Sequence, residues 1–187
     1  MTQRQARIGS IVHRSLGQYT PVAVLVVLLM ALSAASAAPA PVKLAVFEVE
    51  LEDYSAGAAP AGETPADAKL LAGVTSDVRN LLAQSGRYRL VDVAEADAAA
   101  ATARRLHDCD GCDAPIALKL GAEQSFVGVV KRISRMEYTV RFQIRDARTG
   151  AVVSKEESGL RMGADYSWSR GAAELVKDRL LASGAEQ

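Results

Sequence analysis

Hydrophobic and polar residues follow two periods along this chain. The clearest period of two runs from Tyr138 to Arg145, where Tyr138, Val140, Phe142 and Ile144 alternate with Thr139, Arg141, Gln143 and Arg145. Successive strand side chains point to opposite faces, so this stretch predicts a strand with one buried and one wet face. Lys43–Leu51 predicts an earlier strand. Within it, Ala45, Phe47, Val49 and Leu51 share one face, and Leu44 and Val46 share the other with Glu48 and Glu50. Tyr88–Val93 reads as a short second strand. The dense apolar run Phe126–Val130, inside Glu123–Arg135, predicts a central strand buried on both faces. Asp146–Gly150 is a hairpin loop with glycine at its end, and Ala151–Leu160 is the returning strand.

The helical period marks the rest. Leu70, Leu71, Val74, Val78, Leu81 and Leu82 form one stripe after Thr64-Pro65-Ala66-Asp67. There Thr64 can cap, Pro65 suits the first helical position and Asp67 favours the positive end of the dipole. Gly86 stops that helix. Ala94–Leu106, rich in alanine, predicts a second helix, and Ala114–Leu120 a short third one. The last helix spans about Asp165–Leu181, with Trp168, Ala172, Leu175, Val176 and Leu180 as its buried stripe. The order β-α-β-α-(α)-β-β-β-α needs a crossover early and an antiparallel meander late. The expected fold is therefore α/β (α+β), a mixed sheet with a C-terminal antiparallel meander and helices packed mainly on one face.

The first 37 residues read differently. Arg4, Arg7 and Arg14 form a basic region without acids, Pro21–Leu32 is an apolar run, and Ala35-Ser36-Ala37 fits an A-x-A cleavage site. A run of twelve is short for a membrane helix, which needs about 20 residues. No cysteine follows it, so no lipoprotein signal is read. The expectation is a cleavable signal peptide at 1–37, a single domain at 38–187, and a periplasmic protein without stable membrane insertion. The chain carries 22 basic and 22 acidic residues. Loss of the three arginines leaves 19 against 22, a net charge of −3. With no basic excess and 5% aromatics, nucleic acid is not an expected partner.

Candidate chemistry is sparse. Cys109-Asp-Gly-Cys112 is a C-x-x-C in a chain with no other cysteine. Asp113 stands where c-type haem attachment needs a histidine. Too few ligands surround the pair for zinc, leaving a structural disulfide or a redox dithiol. In an oxidising compartment the structural disulfide is the reading preferred here. Glu48, Glu50, Glu52 and Asp53, with Tyr54 and the Gly/Ala/Pro-rich loop that follows, are a candidate binding loop; the alternative is a solvated strand end. Arg161, Trp168 and Arg170 are a candidate partner surface, with Trp168 as a core residue the alternative. His107 is the only histidine after residue 37, and no nucleophile signature accompanies it. No catalytic residue, metal site or cofactor is assigned.

The stretches Leu44–Glu48, Ser85–Tyr88, Cys109–Cys112, Leu120–Gln124, Val127–Val129, Arg145–Gly150 and Ser167–Gly171, in this order and spacing, carry a resemblance. The chain resembles a domain-of-unknown-function family of exported proteobacterial proteins. Gly121–Gly128 also looks like the helix-to-strand joint of the amino-terminal domain of TolB and of the curli-secretion CsgG group. The first resemblance implies an accessory role in the periplasm, beside systems for quinoprotein alcohol oxidation. The second implies a β/α sandwich that works through protein contacts. The expected function is a non-enzymatic, protein-binding accessory factor of an envelope complex or a periplasmic oxidoreductase system. A thiol/disulfide redox protein using Cys109 and Cys112, and a small-ligand or metal binder, are the alternatives.

Overall fold

The computed structural model describes residues 39–55, 63–94 and 105–182. Its elements belong to one unit that begins at Ala40. In chain order they are β1 (Val42–Val46), β2 (Glu50–Asp53), α1 (Pro65–Gln84), β3 (Tyr88–Leu90), α2 (Asp113–Lys119), β4 (Gln124–Ser134), β5 (Glu137–Asp146), β6 (Val152–Glu157) and β7 (Arg161–Met162). A 3-10 turn (Asp165–Ser167) then leads into α3 (Trp168–Leu175), which continues as a π-helical segment, Val176–Leu181. Among the described residues seven strands make one mixed sheet in the order β3-β1-β4-β5-β6. β2 lies beside β4, and β7 beside β5. The early pairings are parallel, and β4-β5-β6 is the antiparallel meander.

Lys43–Leu51 is not one strand. β1 pairs with Gln124–Phe126 and β2 with Val129–Arg132, and Phe47–Val49 breaks the ladder between them. The break reverses which side chains share a face. Val49 and Leu51 join Leu44 and Val46 in the larger core, while Ala45 and Phe47 stay in the core on the opposite face. Two features hold the break. The Val49 N–H leaves the sheet and donates to Thr75 Oγ1 at 2.9 Å. Gly128 lets Val49 close on β4, since a Cβ there would lie 3.0 Å from Val49 Cγ2.

Other boundaries also differ from expectation. The second strand covers only Tyr88–Leu90. The predicted helix at Ala94–Leu106 falls largely on residues outside the described ones, and Leu106–Asp108 is turn. The returning strand is interrupted at 158–160, where Ser158 Oγ takes the Val140 N–H at 2.9 Å before β7 resumes.

The described helices form where the patterns place them, the last one as 3-10, α and π segments in turn. Thr64 and Asp67 cap α1 reciprocally, each side chain binding the other's backbone N–H. The α1 stripe Leu71, Val74, Val78 and Leu82 and the α3 residues Trp168, Ala172 and Leu175 bury one sheet face, around the stacked rings of Phe126 and Phe142. Short α2 and the segments on either side of it cover part of the other face through Leu106, Ala117 and Ala122. Among the described residues that cover reaches Arg145 at one end of β5 and leaves Arg141, Gln143 and β6 open. Arg141, Gln143 and Arg145 on the wet face of β5 stay half-buried, and Lys155 on β6 is exposed.

Candidate functional site

Partial cover leaves a cleft of about 360 Å³. Its floor is the second sheet face: Val127 and Val129 from β4, Arg141, Gln143 and Arg145 from β5, Val152 and Lys155 from β6. Its wall is the segment from Leu106 to Asp113, which carries the cysteine pair. The volume suits a small ligand or a few side chains of a partner.

The wall belongs to no strand, so side chains tie it down. Glu50 reaches out of β2 and accepts the N–H of Leu106 at 2.7 Å and that of His107 at 2.9 Å. Its Oε2 also lies 2.5 Å from His107 Nδ1. Burial raises the Glu50 carboxyl, but the His107 ring and the two N–H donors outweigh it and hold the group below the usual carboxylate range. Arg105 donates to the Leu51 carbonyl at 2.8 Å. From the floor, Arg145 donates to Asp110 at 2.8 Å and to the Gly150 carbonyl at 2.9 Å. Cys109 and Cys112 are disulfide-bonded and pack against the smaller core. This is the setting of a staple that closes the wall.

His107 has Glu50 at one nitrogen and Asp108 Oδ1, at 3.1 Å, on the other. A ring engaged by carboxylates at both nitrogens has neither one turned to a substrate. Asp113, buried at the wall's end, accepts from Ser125 Oγ at 2.5 Å.

The acidic stretch expected as a binding loop is dispersed by the strand break after Glu48 and by the alternation along β2. Glu50 holds the wall. Glu52 accepts from the Tyr54 hydroxyl at 2.5 Å and pairs with Arg141 at 3.4 Å and Lys131 at 3.6 Å. Burial raises its carboxyl as well, yet Tyr54 and the two cations keep it below its ordinary value. Asp53 turns to the other face and Glu48 sits exposed in the break. Among the described residues no three His, Cys, Asp or Glu side chains are placed to hold a metal ion. Of the candidate partner surface, Trp168 is 1% exposed and belongs to the core, which removes it from any surface. Arg170 is exposed on α3, and Arg161 donates to Glu174 at 2.6 Å.

Sequence reasoning missed two groups. The cleft floor is the wet face of the alternating strand, so its residues were legible but not the wall above them. The second is Arg132, which donates to Asp53 at 2.5 Å and Asp67 at 2.8 Å, pairs with Asp165 at 3.3 Å, and stacks 5.5 Å from the Trp168 ring. Its only signal was a place as the second of two cations, Lys131 and Arg132, that follow the apolar run Phe126–Val130.

Solved structures with a related backbone course include the LpoB C-terminal domain from Salmonella enterica. It is 18% identical over 72% of this chain and 93% of that one, with a TM-score of 0.47. The lipoprotein GNA1162 from Neisseria meningitidis is 14% identical over 79% of this chain and 99% of its own, with a TM-score of 0.47. TolB from Acinetobacter baumannii is 13% identical over 76% of this chain but 29% of its own, with a TM-score of 0.42. At these values the likeness transfers neither partner nor activity. No curated protein matches the sequence. The family described as "Protein of unknown function (DUF2380)" matches residues 42–180, from β1 to the π-helical segment, and the chain belongs to that family.

Proposed function

We propose that this protein is a non-enzymatic binding domain of the cell envelope that grips a protein partner in the cleft between the Cys109–Cys112 wall and the open face of β5 and β6. One observation carries the reading: among the described residues α1 and α3 cover one face of the sheet, and the other face is only partly covered. The uncovered part presents Arg141, Gln143, Lys155 and the exposed Val152, with the buried Val127 and Val129 beneath them. Mixed charged and apolar lining of this kind suits a protein surface. The export signal read at 1–37 supports a periplasmic site of action. Among the described residues no helix is long and apolar enough to cross a membrane. Glu50 and Asp108 occupy both ring nitrogens of His107, which speaks against acid–base catalysis there.

Crosslinking in the native host, followed by purification and mass spectrometry, tests this. The wild-type chain is expected to bring down a stoichiometric partner, and R141E/K155E to lose it while keeping its circular dichroism. A partner retained by that variant, or none from wild type, refutes the reading.

A further inference from the structure

β6 closes one side of the sheet. It pairs with β5 from Arg141↔Glu157 to Arg145↔Val152, and among the described residues no strand lies beyond it. Val152 is 48% exposed, Val153 55% and the following Leu160 59%, and Lys155 and Glu157 are exposed between them.

The ladder fixes which backbone groups of β6 are engaged. The Ser158 N–H donates to the Val140 carbonyl at 2.8 Å. Hydrogen-bonded and non-hydrogen-bonded pairs alternate along an antiparallel ladder, so Glu156 and Ser154 also turn their N–H and C=O groups toward β5. Lys155 and Glu157 turn theirs outward. An edge of this kind is a template for one more strand.

Charge selects which strand. Lys155 and Glu157 are two residues apart and share the cleft face with Arg141 and Gln143, whereas Glu156 is on the other face. An incoming strand must set an acid against Lys155 and a base against Glu157. The same β6 running the other way does so. With a two-fold axis through Glu156, each Lys155 faces Glu157 of the other copy and Ser154 faces Ser158. The exposed Val152 is brought toward the exposed Leu160 of that copy. The outward backbone groups of Lys155 and Glu157 then meet, as hydrogen-bonded pairs require. The register costs one like-charge contact, Glu156 with itself on the axis, against two opposite-charge pairs. An axis through Lys155 sets that lysine against itself, and an axis through Ser154 gains no opposite-charge pair. We propose that this protein forms a two-fold dimer in which the β6 strands of two copies pair antiparallel about Glu156 and join two sheets into one. Such an interface is isologous and closes on itself. Antiparallel neighbours turn corresponding faces the same way, so the two clefts open on one side of the joined sheet.

Sedimentation of the purified chain at a series of concentrations, with no partner present, reads the oligomeric state independently of what the cleft binds. Wild type is expected to pass from monomer to dimer. E157K sets lysine against lysine at both pairs and is expected to weaken the dimer about tenfold. K155E/E157K exchanges the charges and is expected to restore it, with circular dichroism unchanged in both. A cysteine trap reads the register. E156C is expected to link two copies under mild oxidation, because residues in a non-hydrogen-bonded pair have Cα atoms about 4.5 Å apart, within disulfide reach. Peptide mapping locates the new bond at position 156 of both chains. S154C is expected not to link, because its two copies stand four residues out of register, more than about 10 Å apart. A wild-type monomer throughout the series, association that E157K leaves unchanged, no recovery in K155E/E157K, or a link through S154C and not E156C overturns the proposal.

Discussion

One arginine holds three acidic side chains at the junction of β2, α1 and the 3-10 turn before α3. Arg132 is largely buried between Asp53, Asp67 and Asp165 and stacks on Trp168, so its removal leaves buried carboxylates without a counter-charge. Breaking such a cluster from one side costs far more than a surface pair is worth, on the order of 3–5 kcal/mol. R132M is expected to lower the unfolding free energy obtained from urea melts by an amount in that range. The cluster also sets an acid response. Hydrogen bonding from the Arg132 guanidinium lowers the Asp53 carboxyl to about 2, against about 3.9 in an unfolded chain. The folded value lies below the unfolded one. The stabilisation is therefore complete above about pH 4 and is lost as pH falls toward 2. At about 1.4 kcal/mol per pKa unit its size is at most about 2.6 kcal/mol. Urea melts between pH 6 and 2 are expected to fall along that window, and D53N to flatten the fall. An equal slope in D53N contradicts the assignment.

At the scale of elements, regular periods were legible and their interruptions were not. The alternation at Tyr138–Arg145, the stripe of α1 apart from Leu81, and the stripe Trp168–Leu180 sit as read, because each period has one solution for its buried face. The break at Phe47–Val49 was hidden because Ala45, Phe47, Val49 and Leu51 alternate as a continuous strand would. What divides them is tertiary: Thr75 on α1 offers an acceptor to Val49, and Gly128 on β4 makes room for its side chain. Neither is visible from residues 43–51. The consequence reached the candidate site, since the break sends Glu50 and Glu52 to the cleft face and Asp53 to the helix face. G128A would push a methyl to 3.0 Å from Val49 and 3.3 Å from the Phe126 ring. A loss of about 1–3 kcal/mol is expected from overpacking. An unchanged thermal midpoint would mean the break relaxes freely. The cysteine pair closes a small ring, and chain-entropy arithmetic gives it about 2 kcal/mol. C109S/C112S is expected to lose about that much while the Glu50 bonds keep the wall in place. Melting and partner capture check both halves. A double variant that melts normally but loses its partner would favour thiol exchange.

The whole molecule is a sheet with two unlike faces. One is sealed by α1 and α3 around aromatic and branched residues, and needs no partner. Among the described residues the other is half-roofed: Leu106 and Ala117 pack the roof on the smaller core, Glu50 and Arg145 bond it to the sheet, and the disulfide closes a ring within the roof itself. The cleft opens where that apolar contact ends. The sequence disclosed the wet face of β5 but not that the segment from Leu106 to Asp113 folds over its near end. Such long-range placement depends on Glu50, whose role appears only after the strand break.

The most direct measurement is site-specific photo-crosslinking in the native host. One probe replaces Gln143 on the cleft floor, and the other replaces Asp77, exposed on α1 over the sealed face. The account expects a discrete partner adduct from position 143 and none from position 77. Adducts at 77 alone, or equally at both, would contradict the placement of the binding surface in the cleft.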